Sequence, residues 1–311
     1  MRLHLAPMAG VTDLAFRTII NRYGLFGVKP STTTTEMVSS RGLYYNDKKT
    51  LELLRTNSED KNLLVQIFGN ESKIMAAASE KLLKMGFEHV DINLGCPAKK
   101  IIKNGDGGAL LQVPNVIEGI IRAVMETEAK VSIKIRLDNI DEVMKIAREC
   151  GVYRVAIHGR TVDEEYRGSA NWGAIREVVK SSQTAGDRGS PLRAGLSWQR
   201  NIMQEESAIP PRNDETMIIG NGDIKSLEEA EATGLDDVMV GRGALKLDKA
   251  HALEHLDLIY EYKGKHGILE ARKVMMWYFS DKKFRSEVVR TSDYMEMRRL
   301  IEYQLESDIA D

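Results

Sequence analysis

Eight short apolar or β-branched runs, each followed at once by glycine or polar residues, constrain this chain more than any other feature. They are LHLAP (3–7), TTTTEM (32–37), LLVQIFG (63–69), HVDINLG (89–95), VSIKIRL (131–137), YRVAIHG (153–159), TMIIGNGD (216–223) and DVMVGRG (237–243). Helical patterns lie between them. Thr12 reads as the cap of a helix ending at Gly24, residues 71–85 as a helix closed by Gly86, and Pro114 as the first turn of a helix reaching about residue 128. A further helix over 141–150 stops at Gly151, and Ser226 caps one ending at Gly234. Continuous rather than alternating apolar strands, interleaved with helices, imply a parallel sheet. Eight such units in some 245 residues imply a (β/α)8 barrel. A doubly wound sheet is the alternative; it would open on a Gly-rich dinucleotide loop, which is absent after the first run.

In a barrel of this kind the C-terminal strand ends carry the chemistry. Here those ends bear Pro7, Met8 and Ala9, then Glu36, Gln66, Asn93 with Cys96, Lys134 with Arg136, His158 with Arg160, Asn221-Gly222-Asp223 and Gly241-Arg242. The last two loops, GNGD and GRG, have the glycine-plus-cation character of a phosphate cradle, so a phosphorylated ligand is expected. Lys134 lies within an apolar strand, where an inward ammonium requires an anion. Cys96, between Gly95 and Pro97 and close to Lys99, Lys100 and Lys103, is placed as a site residue. Nearby cations favour its thiolate and reactivity, whereas a protonated cysteine can act as a general acid. Cys150, at a helix end before Gly151, reads as core.

Composition restricts the rest. The 311 residues include only two cysteines, without the spacing of a disulfide framework or a zinc ribbon, so no metal is expected. No apolar run has membrane-spanning length, and MRLHLAPMAG lacks a signal-peptide core, so a cytoplasmic protein is expected. The net charge of −2 announces no polyanionic partner. A local exception lies in the tail: from Lys263 to Arg299, ten Lys/Arg face five Asp/Glu. Arg272, Lys273 and Arg285 belong to this patch, which suits a phosphate backbone. The chain divides into a barrel, 1–245, and a small C-terminal helical domain, 251–311. Residues 181–215, polar and bearing Gly and Pro, read as a surface insertion. No obligate protein partner is evident.

These motifs together resemble the tRNA-dihydrouridine synthases. The likeness runs through LAPMAGVTDLAFR, TEMVSSRGL, VQIFGNE, DINLGCPAKKIIKNGDGGALL, SIKIRL, AIHGRT, GNGDI and VGRGAL, and more weakly through ARKVMMWY and Phe284-Arg285 in the tail. It covers nearly all of residues 3–245. The resemblance implies FMN at the barrel mouth, reduced by NADPH or NADH, and reduction of a tRNA uridine to 5,6-dihydrouridine. It implies Cys96 as the acid that protonates C5. Pro7, Met8 and Ala9 would pack along the flavin; Gln66, Lys134 and His158 would contact its ring or ribityl chain. Asn221, Gly222, Asp223, Gly241 and Arg242 would hold its phosphate. Asn93, Arg136, Arg160, Lys99, Arg272, Lys273 and Arg285 would face the substrate, with the lysines and glycines after Cys96 meeting RNA backbone. A flavin barrel acting on a small free substrate, such as a dihydroorotate- or enoate-type reductase, is the nearest alternative, and an RNA-binding protein without chemistry the next.

Overall fold

The computed structural model describes residues 1–186 and 216–310. Nine parallel strand segments lie among the described residues: β1 (Arg2–Leu5), β2 (Thr33–Thr34), β3 (Val38–Ser39), β4 (Leu63–Phe68), β5 (His89–Asn93), β6 (Lys130–Ile135), β7 (Arg154–His158), β8 (Met217–Asn221) and β9 (Asp237–Val240). Their order, β1-β9-β8-β7-β6-β5-β4-β2, is closed by a parallel bridge between His4 and Thr32, where Leu5 N donates to Thr32 O (2.9 Å) and Ser31 N to Leu3 O (2.7 Å). The fold is a TIM barrel followed by a C-terminal helical region.

The eight expected runs all become strands, but the second is split. Gln66 N donates to the Thr35 hydroxyl (3.1 Å) instead of a backbone carbonyl, and that hydroxyl donates to Glu36 O (2.7 Å). A threonine side chain therefore interrupts the ladder, and pairing with β4 resumes only at Val38.

Helices cover the outside. Pro114 does open its helix, Pro114–Met125, which buries Ile117, Ile120, Ile121 and Val124 at i, i+3, i+4 and i+7. Gly151 closes Ile140–Cys150 in the left-handed region (φ 75°). Ser226 caps a helix shorter than expected, Leu227–Glu231. The cap of the first helix, Leu14–Tyr23, is Asp13 and not Thr12. The Asp13 carboxylate accepts from Phe16 N (2.9 Å), while the buried Thr12 hydroxyl is held by Met8, accepting from its N (3.1 Å) and donating to its O (3.3 Å). Cys150 is half-buried and packs on the strand–helix core.

Three helices, Ala252–Tyr278, Lys282–Val288 and Tyr294–Ala310, follow the barrel. The first bends at Gly264, whose φ of 58° is outside the helical range. They form a second apolar cluster that includes Ile19 of the first barrel helix, Leu256, Ile268, Phe284 and Ile301. No helix among the described residues is long and apolar enough to cross a membrane. Within the proposed insertion, 181–186 extends the helix Trp172–Gly186; 187–215 lies outside the described residues.

Candidate active site

Neighbouring strands place Gln66 beside Asp91, Asn93 beside Lys134, and His158 beside Asn221. Alternation then turns the side chains of one layer into the barrel. The side chains interlock. Ser132 Oγ donates to Asp91 Oδ1, Gln66 Nε2 donates to Asp91 Oδ2 (2.7 Å), and Asn93 Nδ2 donates to Gln66 Oε1 (2.8 Å). Asn93 Oδ1 accepts from the amides of Gly95 (3.2 Å) and Cys96 (3.0 Å). A carboxylate accepts only, so Asp91 fixes which way both amides point, and through them the start of the Cys96 loop. Asp91 was not among the expected site residues.

The glycines downstream of Cys96 pack instead of facing solvent. Gly107 and Gly108 are buried in a 3-10 turn, Gly107–Gln112, and Gly108 N donates to Cys96 O (3.0 Å). A Cβ on Gly107 would lie 3.1 Å from Cys96 Cβ and 2.8 Å from Ile101, at φ 58°; one on Gly108 would lie 3.1 Å from Cys96 O. Close approach to the cysteine loop therefore requires both glycines, and for these two the expectation of RNA contact is corrected. Lys99, Lys100 and Lys103 are exposed or nearly so on the short helix Lys99–Lys103. Cys96 itself is a half-buried free thiol.

Lys134 stands beside this loop. Burial pushes its ammonium down to about 8, Arg136 adds to the fall, and Asp91 and Cys96 oppose it. His158 falls further, to about 2, mainly through burial, with Lys134, Arg136, Arg160 and Arg242 contributing; its imidazole is neutral.

Arg136 and Arg160 are buried, and most of their donors meet protein acceptors. Arg136 Nε donates to Gly95 O (2.8 Å), and its Nη1 to Thr161 O (2.8 Å) and Glu165 O (2.7 Å). Arg160 donates to Arg167 O (2.9 Å), Gly168 O (2.6 Å) and Asp223 Oδ2 (2.6 Å), and its Nη1 lies 3.4 Å from His158 Nε2. Both guanidinium groups thus hold the loop after β7. That loop presents Tyr166, 56% exposed, its ring 4.9 Å from the Arg242 guanidinium and 5.5 Å from that of Arg136. Tyr166 was not anticipated either; it sits in an irregular loop with no periodic signal.

At the last two strand ends, Asn221 Nδ2 donates to Met239 O (2.8 Å). Burial alone would raise the Asp223 carboxyl, but Arg160, the Ala170 amide and Arg242 outweigh it and hold it below the usual range. Gly222 has φ 137°, and a Cβ there would lie 2.5 Å from Ala170 Cβ. A Cβ on Gly241 would meet nothing nearer than Ala6 (3.8 Å) and Met8 Sδ (4.0 Å), and the Arg242 side chain is 60% exposed. Pro7 and Met8 are half-buried and Ala9 exposed on the adjoining loop.

The tail reaches the same mouth. Lys273 Nζ donates to Gly10 O (3.3 Å), and Gly10 N donates to Glu36. Parts of the basic patch are paired internally: Lys263 with Asp13 and Glu270, Arg298 with Asp257 and Glu302, and Arg272 Nε with Thr291 O (2.6 Å). Lys282, Lys283, Arg285, Arg290 and Arg299 are exposed.

Residues 4–185 match the model of the family described as Dihydrouridine synthase (Dus). The chain is 31% identical to a probable tRNA-dihydrouridine synthase 1 of Synechocystis, over 90% of this chain and 78% of the relative. It is 30% identical to tRNA-dihydrouridine synthase B of Shewanella oneidensis, over 97% of this chain and 94% of the relative. Among solved structures, a variant flavocytochrome b2 with sulfite bound aligns at 15% identity and a TM-score of 0.43, covering 96% of this chain but only 65% of that one, a likeness too slight to carry weight. With more than half of its length matched by the family model, this chain belongs to the dihydrouridine synthase family.

Proposed function

We propose that this protein reduces uridine in tRNA to 5,6-dihydrouridine, using FMN bound at the C-terminal mouth of the barrel and reduced by NADPH. The observation that carries the reading is the meeting, on adjacent strand ends, of Lys134, a half-buried lysine with a depressed ammonium, and the cysteine loop held by Asn93. The residues present fit the cofactor. A half-buried cation whose charge is disfavoured by desolvation suits a ring system that becomes anionic on reduction. The open backbone at Gly241, the positive φ of Gly222 and the exposed Arg242 suit a single terminal phosphate. In this reading Lys134, Gln66 and His158 hold the ring, Met8 packs near Gly241, and Asp223 acts on the phosphate indirectly by orienting Arg242. Bound there, FMN would supply the hydride that reaches C6 of the uracil.

The chain's own residues supply the rest. Cys96 gives a proton to C5; its loop is fixed by Asn93, Arg136 and Gly108, so the donor is already positioned when the base is turned out of the RNA stack and enters the mouth. Neutral His158 is a hydrogen-bonding group, not a charge. Lys99, Lys100 and Lys103 on one side, and the exposed cations of the helical tail on the other, meet the tRNA backbone.

Incubating the purified protein with unmodified tRNA and NADPH, then digesting the RNA to nucleosides, should yield dihydrouridine, and heating the protein should release FMN. FMN without dihydrouridine would move the assignment to a small-substrate reductase; no flavin, even after reconstitution, would refute the site.

A further inference from the structure

The opposite mouth of the barrel holds a second cluster that the proposed chemistry does not use. A cavity of about 80 Å³ opens there. It is lined by residues at or next to the strand starts: Arg2 of β1, Thr32 just before β2, His89 of β5, Lys130 of β6 and Arg154 of β7. The lining side chains include three that carry permanent positive charge and no carboxylate.

Arg154 is the centre of it. Its side chain is buried (2% exposed), and burial presses its charge downward. Nη1 donates to Thr32 Oγ1 (3.0 Å), but Nε and Nη2 have no hydrogen-bond partner among the described residues. The carboxylates that could neutralise it are engaged elsewhere. Asp237 accepts from Arg2 at both oxygens (2.7 Å each) and contacts His4 Nε2 (3.0 Å); Asp91 is held by Ser132 and Gln66. Arg154 reaches Asp237 only through two neutral groups, Thr32 and His4 (Nδ1 to Oγ1, 2.9 Å). A desolvated guanidinium without an anion is strongly unfavourable. Beside it, the Lys130 ammonium lies 3.7 Å from the centroid of the Tyr153 ring, and the neighbouring His89 can offer a hydrogen bond.

We propose that this cavity is a binding site for one phosphate group, free or as the monoester of a small molecule, held by Arg154 and Lys130 with Thr32 and His89 as neutral partners. Arginine and lysine on different strands, converging with hydroxyl and imidazole donors in a confined space, match a tetrahedral dianion with several acceptor oxygens. The site is at the far end of the barrel from Cys96 and does not depend on the reading of the catalytic mouth.

Calorimetric titration of the full-length protein with inorganic phosphate, against potassium chloride of equal ionic strength, tests it. Saturable one-to-one uptake is expected, lost in Arg154→Met and weakened about tenfold or more in Lys130→Met. Lys130 is exposed, so its variant keeps the fold and decides the matter if Arg154→Met does not fold. Glycerol phosphate in place of phosphate identifies the source: tighter binding of either supports the site and says whether a monoester or the free ion is its ligand. Unchanged affinity in Lys130→Met, a response no different from chloride, or acetate binding as tightly as phosphate would overturn the proposal.

Discussion

Arg136 and Arg160 at the C-terminal mouth and Arg154 at the N-terminal mouth are equally buried, at 3%, 1% and 2% exposure. Their surroundings differ. The first two meet backbone carbonyls and a carboxylate and thereby tie loops to the barrel. The third meets one hydroxyl and leaves two nitrogens without partners among the described residues. A buried cation with protein acceptors is an architectural element; one without them is poised for a ligand. Lys134 differs at the upper mouth: it is half-buried, its ammonium is disfavoured by desolvation, and it is where we propose that the cofactor binds.

Three perturbations break or sharpen this contrast. The largest effect is expected from Cys96→Ala, which removes the proposed acid but not its surroundings. Single-turnover oxidation of the reduced flavin by tRNA should slow by about 10²–10⁴-fold, with flavin reduction by NADPH unchanged. A rate within a few-fold of the parent would make the cysteine structural.

Next is Lys134→Met in the flavin-free protein. The folded group titrates near 8, below its ordinary value near 10.5. The unfolded chain therefore holds more protons between those values, and stability should rise with pH across that window. Below pH 8 the half-buried charge costs up to about 3 kcal/mol, so the variant should be more stable than the parent there and should lose that advantage towards pH 10.5. Urea unfolding at pH 7 and pH 10.5 measures it, and equal differences at both would mean the ammonium is not the cause.

The smallest is Asp237→Ala at the lower mouth, which leaves Arg2 and buried His4 without their carboxylate. About 1–3 kcal/mol should be lost at pH 7. Burial alone would raise the Asp237 carboxyl, but His4 and Arg2 outweigh this and depress it. Its contribution is therefore present above the ordinary carboxylate range and fades as pH falls through the depressed value. The difference between variant and parent should shrink on acidification; a constant difference would assign the loss to packing.

The barrel was legible because eight apolar runs with helical spacers admit few arrangements, and the candidates at the barrel mouth stood out because each lies at the end of such a run or just after it. What sequence hid was register. Asp91 in HVDINLG and Arg154 in YRVAIHG look like isolated charges in apolar strands; only pairing of β5 with β6 and β6 with β7 shows that both point into the barrel. The lower cavity draws on residues from Arg2 to Met217, which no local motif connects. Thr12 and Asp13 are both competent helix caps, and the choice between them rests on Met8, which occupies the threonine hydroxyl. The tail's excess of positive charge overstated its free cations, because Lys263, Arg272 and Arg298 are engaged within the protein.

Arg136 has a mechanical consequence. One side chain grips Gly95, adjacent to the cysteine after β5, and at the same time Thr161 and Glu165 in the loop after β7. The two loops are therefore geared together: neither can lift without releasing a desolvated guanidinium. Displacing the loop after β7 therefore strains the carbonyl contact next to Cys96.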